Sequence, residues 1–546
     1  MRIGALALTI LATRLPGGLL GGTDLLFNVD EMEMTLSTAD RFLGVPSTSL
    51  AWPGATLQLI ATPVFAFDYL VGSSFPKSPE GFARFLARLY REPWHAIQLV
   101  RVVVAVASSI GLALLLVPLQ RMTRGTLAGL AGVAIVVTVP VMWLHAHMAM
   151  ADALAISLGC AAMAAAGADA NGSRTSAIAA GGLMGLALAA KLTSALFMPL
   201  VVAMVLAASR RPIRDAAAFA GGLALAFLLA CPYVWVDPVR LAKSVIGTAT
   251  RSGHAAGVWQ ASKTLAQIVS IPVLALSALG GYELWRTGQR LVLAGSVGSL
   301  AMLLAATSVA GIVYDRYFLA AMPPIAILTA MGLVVLGRVA ERIPAPPRAA
   351  LRAWVVVAAA ALVCTNGAVA YRAATRGPRD RARQLIALES RLVALGPPGP
   401  IAIPKDLLHP LGKYLSSRSL RGWADRVPVA SPERSLRGFA GRLSAGAVTV
   451  LGTALTEDEQ AFAARLRAMA YPPARTGHDV VIWSVDDVAA RLGLLTWKEA
   501  QQAMARGEVA ALVADSIAPA SKGLGAEELG TYRLILRRQE PDATAR

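Results

Sequence analysis

Gly185-Leu186-Ala187-Leu188-Ala189-Ala190-Lys191-Leu192-Thr193 sits in the middle of an apolar run over 177–207. That run is too long for one comfortable membrane span, since roughly 20 residues at about 1.5 Å each cover a hydrocarbon core of about 30 Å. A lysine ammonium at its middle would be costly at bilayer depth. Together these facts predict two short helices, 177–190 and 192–207, with Lys191 at the turn between them. The split decides the topology, because one span more or fewer moves everything downstream to the other side of the membrane.

Working outward, apolar runs at 97–118, 127–144, 151–166, 216–235, 265–284, 291–312, 318–336 and 353–371 also read as spans. An opening run over 3–12 is interrupted early by Arg14 and reads as a short first span. A cleaved signal peptide is the alternative there, but no small-residue cleavage site follows it. The total is about eleven transmembrane helices. Composition agrees, with 56% hydrophobic and 15% charged residues and a mean hydropathy of +0.57. A soluble chain would be about 45–50% apolar.

The formal net charge of +18 does not call for nucleic acid, because the arginines gather in short loops. With a cytoplasmic N-terminus, alternate loops carry Arg121 and Arg124, then Arg174, then Arg210, Arg211 and Arg214, then Arg286 and Arg290, then Arg338, Arg342, Arg348 and Arg352. Positive loops stay inside. The first outer loop, 23–95, therefore faces out, with Asp30 and Glu31 in the acidic patch Asn28-Val29-Asp30-Glu31-Met32-Glu33. Apolar and basic residues mixed at helical spacing in this loop suggest helices lying in the interface.

After residue 371 the chain changes character. Strand-length apolar runs such as Pro400-Ile401-Ala402-Ile403-Pro404, Ala447-Val448-Thr449-Val450-Leu451 and Val480-Val481-Ile482-Trp483 alternate with helix-like stretches at 380–395, 457–469 and 496–506. Such alternation predicts a soluble α/β domain with a partly parallel sheet over 372–546. An odd span number places it outside the cell as well. The three cysteines, Cys160, Cys231 and Cys364, all fall in apolar runs, which gives neither a disulfide framework nor a metal cluster.

Ionisable residues beside the membrane are costly and ask for a reason. On the outer face the topology gathers Asp30, Glu31, His145, His147, Asp152, Lys191, Arg251, His254, Asp315, Arg316 and Tyr317. His145 and His147, with Asp152 or His254, could hold a divalent metal, but no HExxH or similar spacing supports ligation. No cofactor is called for.

Several ordered motifs carry a resemblance. They are Arg14-Leu15-Pro16 ahead of Asp30-Glu31; Leu99-Val100-Arg101; Met150-Ala151-Asp152-Ala153-Leu154; the stretch 185–193 around Lys191; Pro232-Tyr233 with Asp237-Pro238; and Asp315-Arg316-Tyr317. In this order, over roughly the first 340 residues, the chain resembles GT-C glycosyltransferases of the dolichyl-phosphate-mannose protein mannosyltransferase and aminoarabinose-transferase type. The resemblance implies an inverting transfer of a hexose or pentose from a polyprenyl-phosphate carrier to a hydroxyl of a lipid, glycan or protein.

On that basis Asp30 is the base that takes the acceptor proton, as a positioned carboxylate can. Glu31 orients the loop or shares the acceptor contact. Without the resemblance, both carboxylates read equally as caps of a helix starting near Met32. Lys191 and Arg316 match positions that hold the lipid phosphate, where cations stabilise the charge of the leaving group. Their alternatives are snorkelling for Lys191 and pairing with Asp315 for Arg316.

Asp152 resembles a second acidic position, and a structural hydrogen bond to a neighbouring helix is its alternative. Arg101 orients a first-loop carboxylate or snorkels. His254 and Tyr317, on the same face, complete the substrate-binding set. Abundant alanine and arginine and the absence of an organelle signal suggest a bacterial cytoplasmic membrane. A secondary transporter, or a catalytically silent scaffold with a partner-binding domain, is the contrasting expectation. A transporter would more often show mid-membrane charges and paired repeats, and neither is evident here.

Overall fold

The fold is described from a computed structural model. It describes residues 2–20, 54–78, 94–124, 126–168, 173–231, 257–310, 315–342 and 360–369 continuously, scattered positions within 31–42, 81–89, 233–242 and 353–357, positions 502 and 506, and six strands between 401 and 536. The chain divides into two compact units. One comprises Met1–Leu20, Ser49–Ala61 and Val100–Thr375, the other Gly21–Thr48, Thr62–Leu99 and Arg376–Arg546.

The first unit is helical. Its elements are α1 (Arg2–Leu20), the start of α2 (Ala55–Phe67), α3 (Trp94–Leu114), α4 (Leu116–Thr123), α5 (Thr126–Thr138), α6 (Pro140–His145), α7 (Ala151–Ala168), α8 (Arg174–Ala190), α9 (Met198–Ala208) and α10 (Pro212–Ala230). They are followed by α11 (Val258–Val269), α12 (Ile271–Arg286), α13 (Arg290–Ala310) and α14 (Met322–Arg342). Six helices among the described residues are long and apolar enough to cross a membrane, or seven if the bent pair α11 and α12 is one span. Five shorter apolar helices accompany them: Ile3–Arg14, Leu127–Thr138, Arg174–Ala190, Leu192–Ala208 and Ala360–Val369.

The run over 177–207 breaks at Lys191. Helix α8 ends at Ala190, Lys191 is extended (φ −160°, ψ 125°), and a 3₁₀ turn, Leu192–Phe197, leads into α9. Close packing of backbones fixes the neighbours. A Cβ at Gly181 or Gly185 would collide with the Phe219 or Leu223 carbonyl of α10, and one at Gly222 with the Ile178 carbonyl of α8. This is the small-residue seam, spaced by four, that lets membrane helices approach without a hydrophobic driving force between them. Helices α12 and α14 repeat it through Gly280 against the Leu328 carbonyl and Gly332 against the Leu276 carbonyl, joined by a Ser277–Thr329 hydroxyl hydrogen bond of 3.1 Å.

Helix α7 is a ruler for the bilayer. Its 18 residues rise about 27 Å at about 1.5 Å each, close to the thickness of a hydrocarbon core. Asp152 lies in its first turn, while the guanidinium of Arg121 donates to the Gly167 and Ala168 carbonyls at its last. A cation on the last carbonyls complements the helix dipole. The acidic residue and one of the basic loops thus occupy opposite ends of one helix. In the windows counted as spans, 72% of α7 and 78% of the 3₁₀ turn Asp315–Ala321 with α14 are enclosed, against 17% of α10. The most enclosed segments are therefore those whose first turns carry Asp152 and Arg316.

Two sequence expectations are corrected. The run over 265–284 is not one straight helix: α11 and α12 meet at Ser270 with a 100° bend. Ser270 has φ +75°, outside the helical region, and Pro272, in the first turn of α12, suits a helix start because the N–H it lacks would have no partner there. The opening helix also does not stop before Arg14 but continues to Leu20, because Arg14 finds polar partners inside the bundle. The loop read as interfacial contributes Ala55–Gly72, apolar and long enough to cross a membrane by length and composition.

In the second unit, the Tyr69 hydroxyl donates to the Pro76 and Ser78 carbonyls at 2.6 and 2.8 Å, and its ring meets Phe82 edge-on at 5.0 Å. Six strands, β1 (Ile401–Pro404), β2 (Val480–Trp483), β3 (Leu494–Leu495), β4 (Ala511–Asp515), β5 (Gly525–Leu529) and β6 (Tyr532–Leu536), form one sheet in the order β3-β2-β1-β4-β6-β5. Only β1 and β4 pair in parallel, Ile401 opposite Ala511; the other pairings are antiparallel. The expected strand at 447–451 and the expected helices at 380–395 and 457–469 lie outside the described residues.

Replacing Gly280 with leucine should separate α12 from α14 and lower the thermal midpoint of the detergent-solubilised protein by several degrees, whereas Gly221→Leu, where a Cβ would meet no neighbour, should leave it nearly unchanged. Equal midpoints for the two variants would refute this packing.

Candidate functional site

The helix break at Lys191 turns its side chain to the start of α7. The ammonium forms a buried ion pair with Asp152, both residues only about 5% exposed. Asp152 suits its place in the first turn of α7, where the helix dipole favours a carboxylate. The backbone around the break is satisfied: Lys191 N–H donates to the Ala187 carbonyl at 2.9 Å and its own carbonyl accepts from Ser194 at 3.0 Å. Gly54 N–H donates to the Ala190 carbonyl at 3.1 Å, and the Thr56 hydroxyl to the Leu186 carbonyl at 2.7 Å. These two contacts secure the frayed end of α8.

Tyr317 joins two cations. The Lys191 ammonium lies 5.8 Å and the Arg316 guanidinium 5.7 Å from its ring centroid, within range for a cation on an aromatic face. Arg316 is half-buried in the first turn of the 3₁₀ segment Asp315–Ala321, beside an exposed Asp315. His145, at the end of α6, completes the group. It is buried, its Nδ1 has no hydrogen-bond partner among the described residues, and it lies in the field of Asp152, Lys191, Arg316 and Asp315. Burial holds its pKa down to about 4, against the pull of Asp152. The imidazole is therefore neutral near pH 7, and the node sets two cations, Lys191 and Arg316, among two carboxylates, Asp152 and Asp315.

The lysine and arginine give the node a point charge together with a planar fork of donors, a pairing suited to phosphate oxygens. Among the described residues, no three His, Cys, Asp or Glu side chains stand close enough to share a metal ion.

Of the residues singled out in the sequence, Asp152, Lys191, Arg316 and Tyr317 are brought together. Arg101, in the second turn of α3, is 2% exposed and contributes to the field at His147 rather than at His145. Glu31 is a buried helical residue of the second unit. Asp30, His254 and Arg251 lie outside the described residues. Sequence reasoning gave His145 only a metal-ligand role. Its signal was position, since a loop of five residues between α6 and α7 must hold it near Asp152.

Two outcomes follow from buried charge. Lys191→Met leaves Asp152 uncompensated and should destabilise the solubilised protein by about 3–5 kcal/mol, with most of that loss recovered in Asp152→Asn/Lys191→Met; a double variant as unstable as the single one would disprove the pair. His147, like His145, is held at about 4, again mainly by burial. The unfolded chain protonates both near 6.5 and so binds protons first as pH falls. Stability should be fully present above about 6.5 and decline toward pH 4. Melting curves of His145→Gln/His147→Gln should decline less over that window, and an identical decline would exclude the histidines as its source.

No family model matches the sequence, and no curated protein matches it. Among solved structures, the chain is similar to the crystal structure of ArnT from Cupriavidus metallidurans in the apo state at 13% identity and a TM-score of 0.49, over 98% of this chain and 96% of that one. It is similar also to ArnT from the same organism bound to undecaprenyl phosphate, at 13% identity and a TM-score of 0.47, over 98% of this chain and 97% of that one.

Proposed function

We propose that the protein is an integral-membrane, inverting glycosyltransferase of the GT-C type, which moves a monosaccharide from a polyprenyl-phosphate carrier to a hydroxyl of a lipid, glycan or protein. The observation that carries this reading is the node at the start of α7, where a buried Asp152–Lys191 pair and Arg316 meet at the ring of Tyr317. A polar node with two cations at one end of apolar helices suits a phosphate delivered by a lipid.

In the proposed reaction the acceptor oxygen attacks the anomeric carbon as its proton passes to the Asp30 carboxylate. The bond from that carbon to the phosphate oxygen breaks, and the carrier leaves as a phosphate monoester. Lys191 and Arg316 hold that phosphate and stabilise the charge it gains. Asp152 sets the position of Lys191, Tyr317 aligns both cations, Glu31 and Arg101 order the acceptor side, and His254 contacts substrate.

Five of the long helices, the bent pair and the five shorter ones make up the proposed eleven spans, with Ala55–Gly72 kept in the outer loop. The basic loops then face the cytoplasm, as the positive-inside rule requires. The node and an α/β domain at 372–546 face outward from a bacterial cytoplasmic membrane, with the envelope supplying the acceptor.

The test is transfer from a polyprenyl-phosphate sugar by the purified protein. Asp30→Asn should reduce turnover about 10²–10⁴-fold, the usual contribution of a positioned base, while donor binding persists. Turnover equal to wild type would remove Asp30 as the base, and no sugar release by the wild-type protein would favour a scaffold or transporter.

A further inference from the structure

Arg14 is a buried charge that the proposed chemistry does not use. It lies in α1, fully enclosed, and only one arm of its guanidinium is engaged: Nη1 donates to Ser108 Oγ at 2.6 Å and reaches Ser109 Oγ at 3.5 Å. Both serines can accept, because their own hydroxyls donate to the Ala105 carbonyl at 3.2 and 2.7 Å. The remaining donors, Nε and Nη2, have no acceptor among the described residues.

His147 is next to it. Its Nδ1 meets the Trp143 carbonyl at 2.6 Å, which assigns the ring proton to that nitrogen, and its Nε2 is buried with no hydrogen-bond partner among the described residues. The Arg14 carbonyl and the charges of Arg14 and Arg101 all act on this ring. A guanidinium edge with two unsatisfied N–H groups and a buried imidazole lone pair therefore share one region, under a positive field. Burial of a cation in this way is strongly unfavourable unless an anion compensates it.

We propose that Arg14 and His147 form a second oxyanion site, distinct from the node at Lys191, that takes a phosphate monoester. Two oxygens of the phosphate accept from Nε and Nη2 in the parallel geometry an arginine fork favours. A monoester is mostly a dianion near neutrality, but with a second pKa of about 6 it can take up one proton from water on binding and place it between the third oxygen and His147 Nε2. A sulfate or a phosphodiester has no such proton and would set its lone pairs against that of the imidazole. Arg14 is closed to solvent, and Leu8 on the same helix is 67% exposed on a surface of the kind that faces lipid. A lipid-borne phosphate and free phosphate share the required chemistry. This site does not depend on the glycosyl-transfer reading.

The test uses the full chain in detergent, with its melting midpoint followed against sodium phosphate, sodium sulfate, dioleoyl phosphatidate and dioleoyl phosphatidylglycerol. A saturable rise of roughly 2–4 °C is expected with a monoester, and one at least about tenfold weaker in apparent affinity with sulfate or the diester. A rise with phosphatidate alone would identify a lipid source, and a rise with inorganic phosphate as well would identify a site open to the free ion. Arg14→Met should abolish the rise and increase the ligand-free midpoint, because an uncompensated buried charge has gone. Arg14→Lys and His147→Asn, which keep charge or shape, should weaken binding about tenfold and several-fold, and they read the same effect if Arg14→Met does not accumulate. The proposal is overturned if wild type shows no saturable rise with either monoester, if the Arg14 variants bind as wild type, or if Arg14→Met lowers the ligand-free midpoint, which would mean that a carboxylate of the chain already compensates Arg14.

Discussion

The buried ion pair of Asp152 with Lys191 is the interaction on which the helical unit depends. Two opposite charges leave water together only when each compensates the other at close range. Here one is supplied by the first turn of α7 and the other by the only extended residue between α8 and the 3₁₀ turn that follows it. The pair explains why a run of apolar residues stops being helical at that point. Continuing the helix through Lys191 would strand the ammonium in hydrocarbon, while breaking it there delivers the charge to its partner. The cost of the break is reduced by Gly54 and Thr56, which supply donors to the last carbonyls of α8.

From this pair the electrostatics of the unit follow. Asp152 neutralises Lys191, and Arg316 meets the same Tyr317 ring beside Asp315. His145 adds no charge, because burial keeps the ring neutral. At the far end of α7 Arg121 caps the helix. Elsewhere in the unit, Ser209 and Arg214 hold Asp215 at 2.6 and 2.9 Å, and Arg338 donates to Glu283 at 2.7 Å. These basic residues tie helix ends together through carbonyls and carboxylates.

Much of this was legible in the sequence, for identifiable reasons. The break at Lys191 could be read because hydrophobic length and a central charge are both local properties. The starts of α7 and α13 and the strands β1 and β2 were visible as apolar runs of distinctive length. The bend at Ser270 was not, because hydropathy is continuous through Val269-Ser270-Ile271-Pro272 and only the proline marks the change. The continuation of α1 past Arg14 was hidden as well. An arginine ends an apolar run unless something inside receives it, and Ser108 and Ser109 are about ninety residues away in sequence. The place of His145 beside Asp152 depended likewise on tertiary packing. Asp30, to which the family resemblance assigns the base, lies outside the described residues and stays a proposal.

The central claim is that Lys191 and Arg316 hold a lipid phosphate, and retention of undecaprenyl phosphate by the purified protein, read by native mass spectrometry against the neutral alcohol undecaprenol, tests it most directly. The phosphate lipid should be retained, the alcohol should not, and Arg316→Gln should weaken retention at least about tenfold, as loss of a charge-assisted fork would. Equal retention of alcohol and phosphate, or an Arg316→Gln protein that retains the lipid as wild type does, would contradict it.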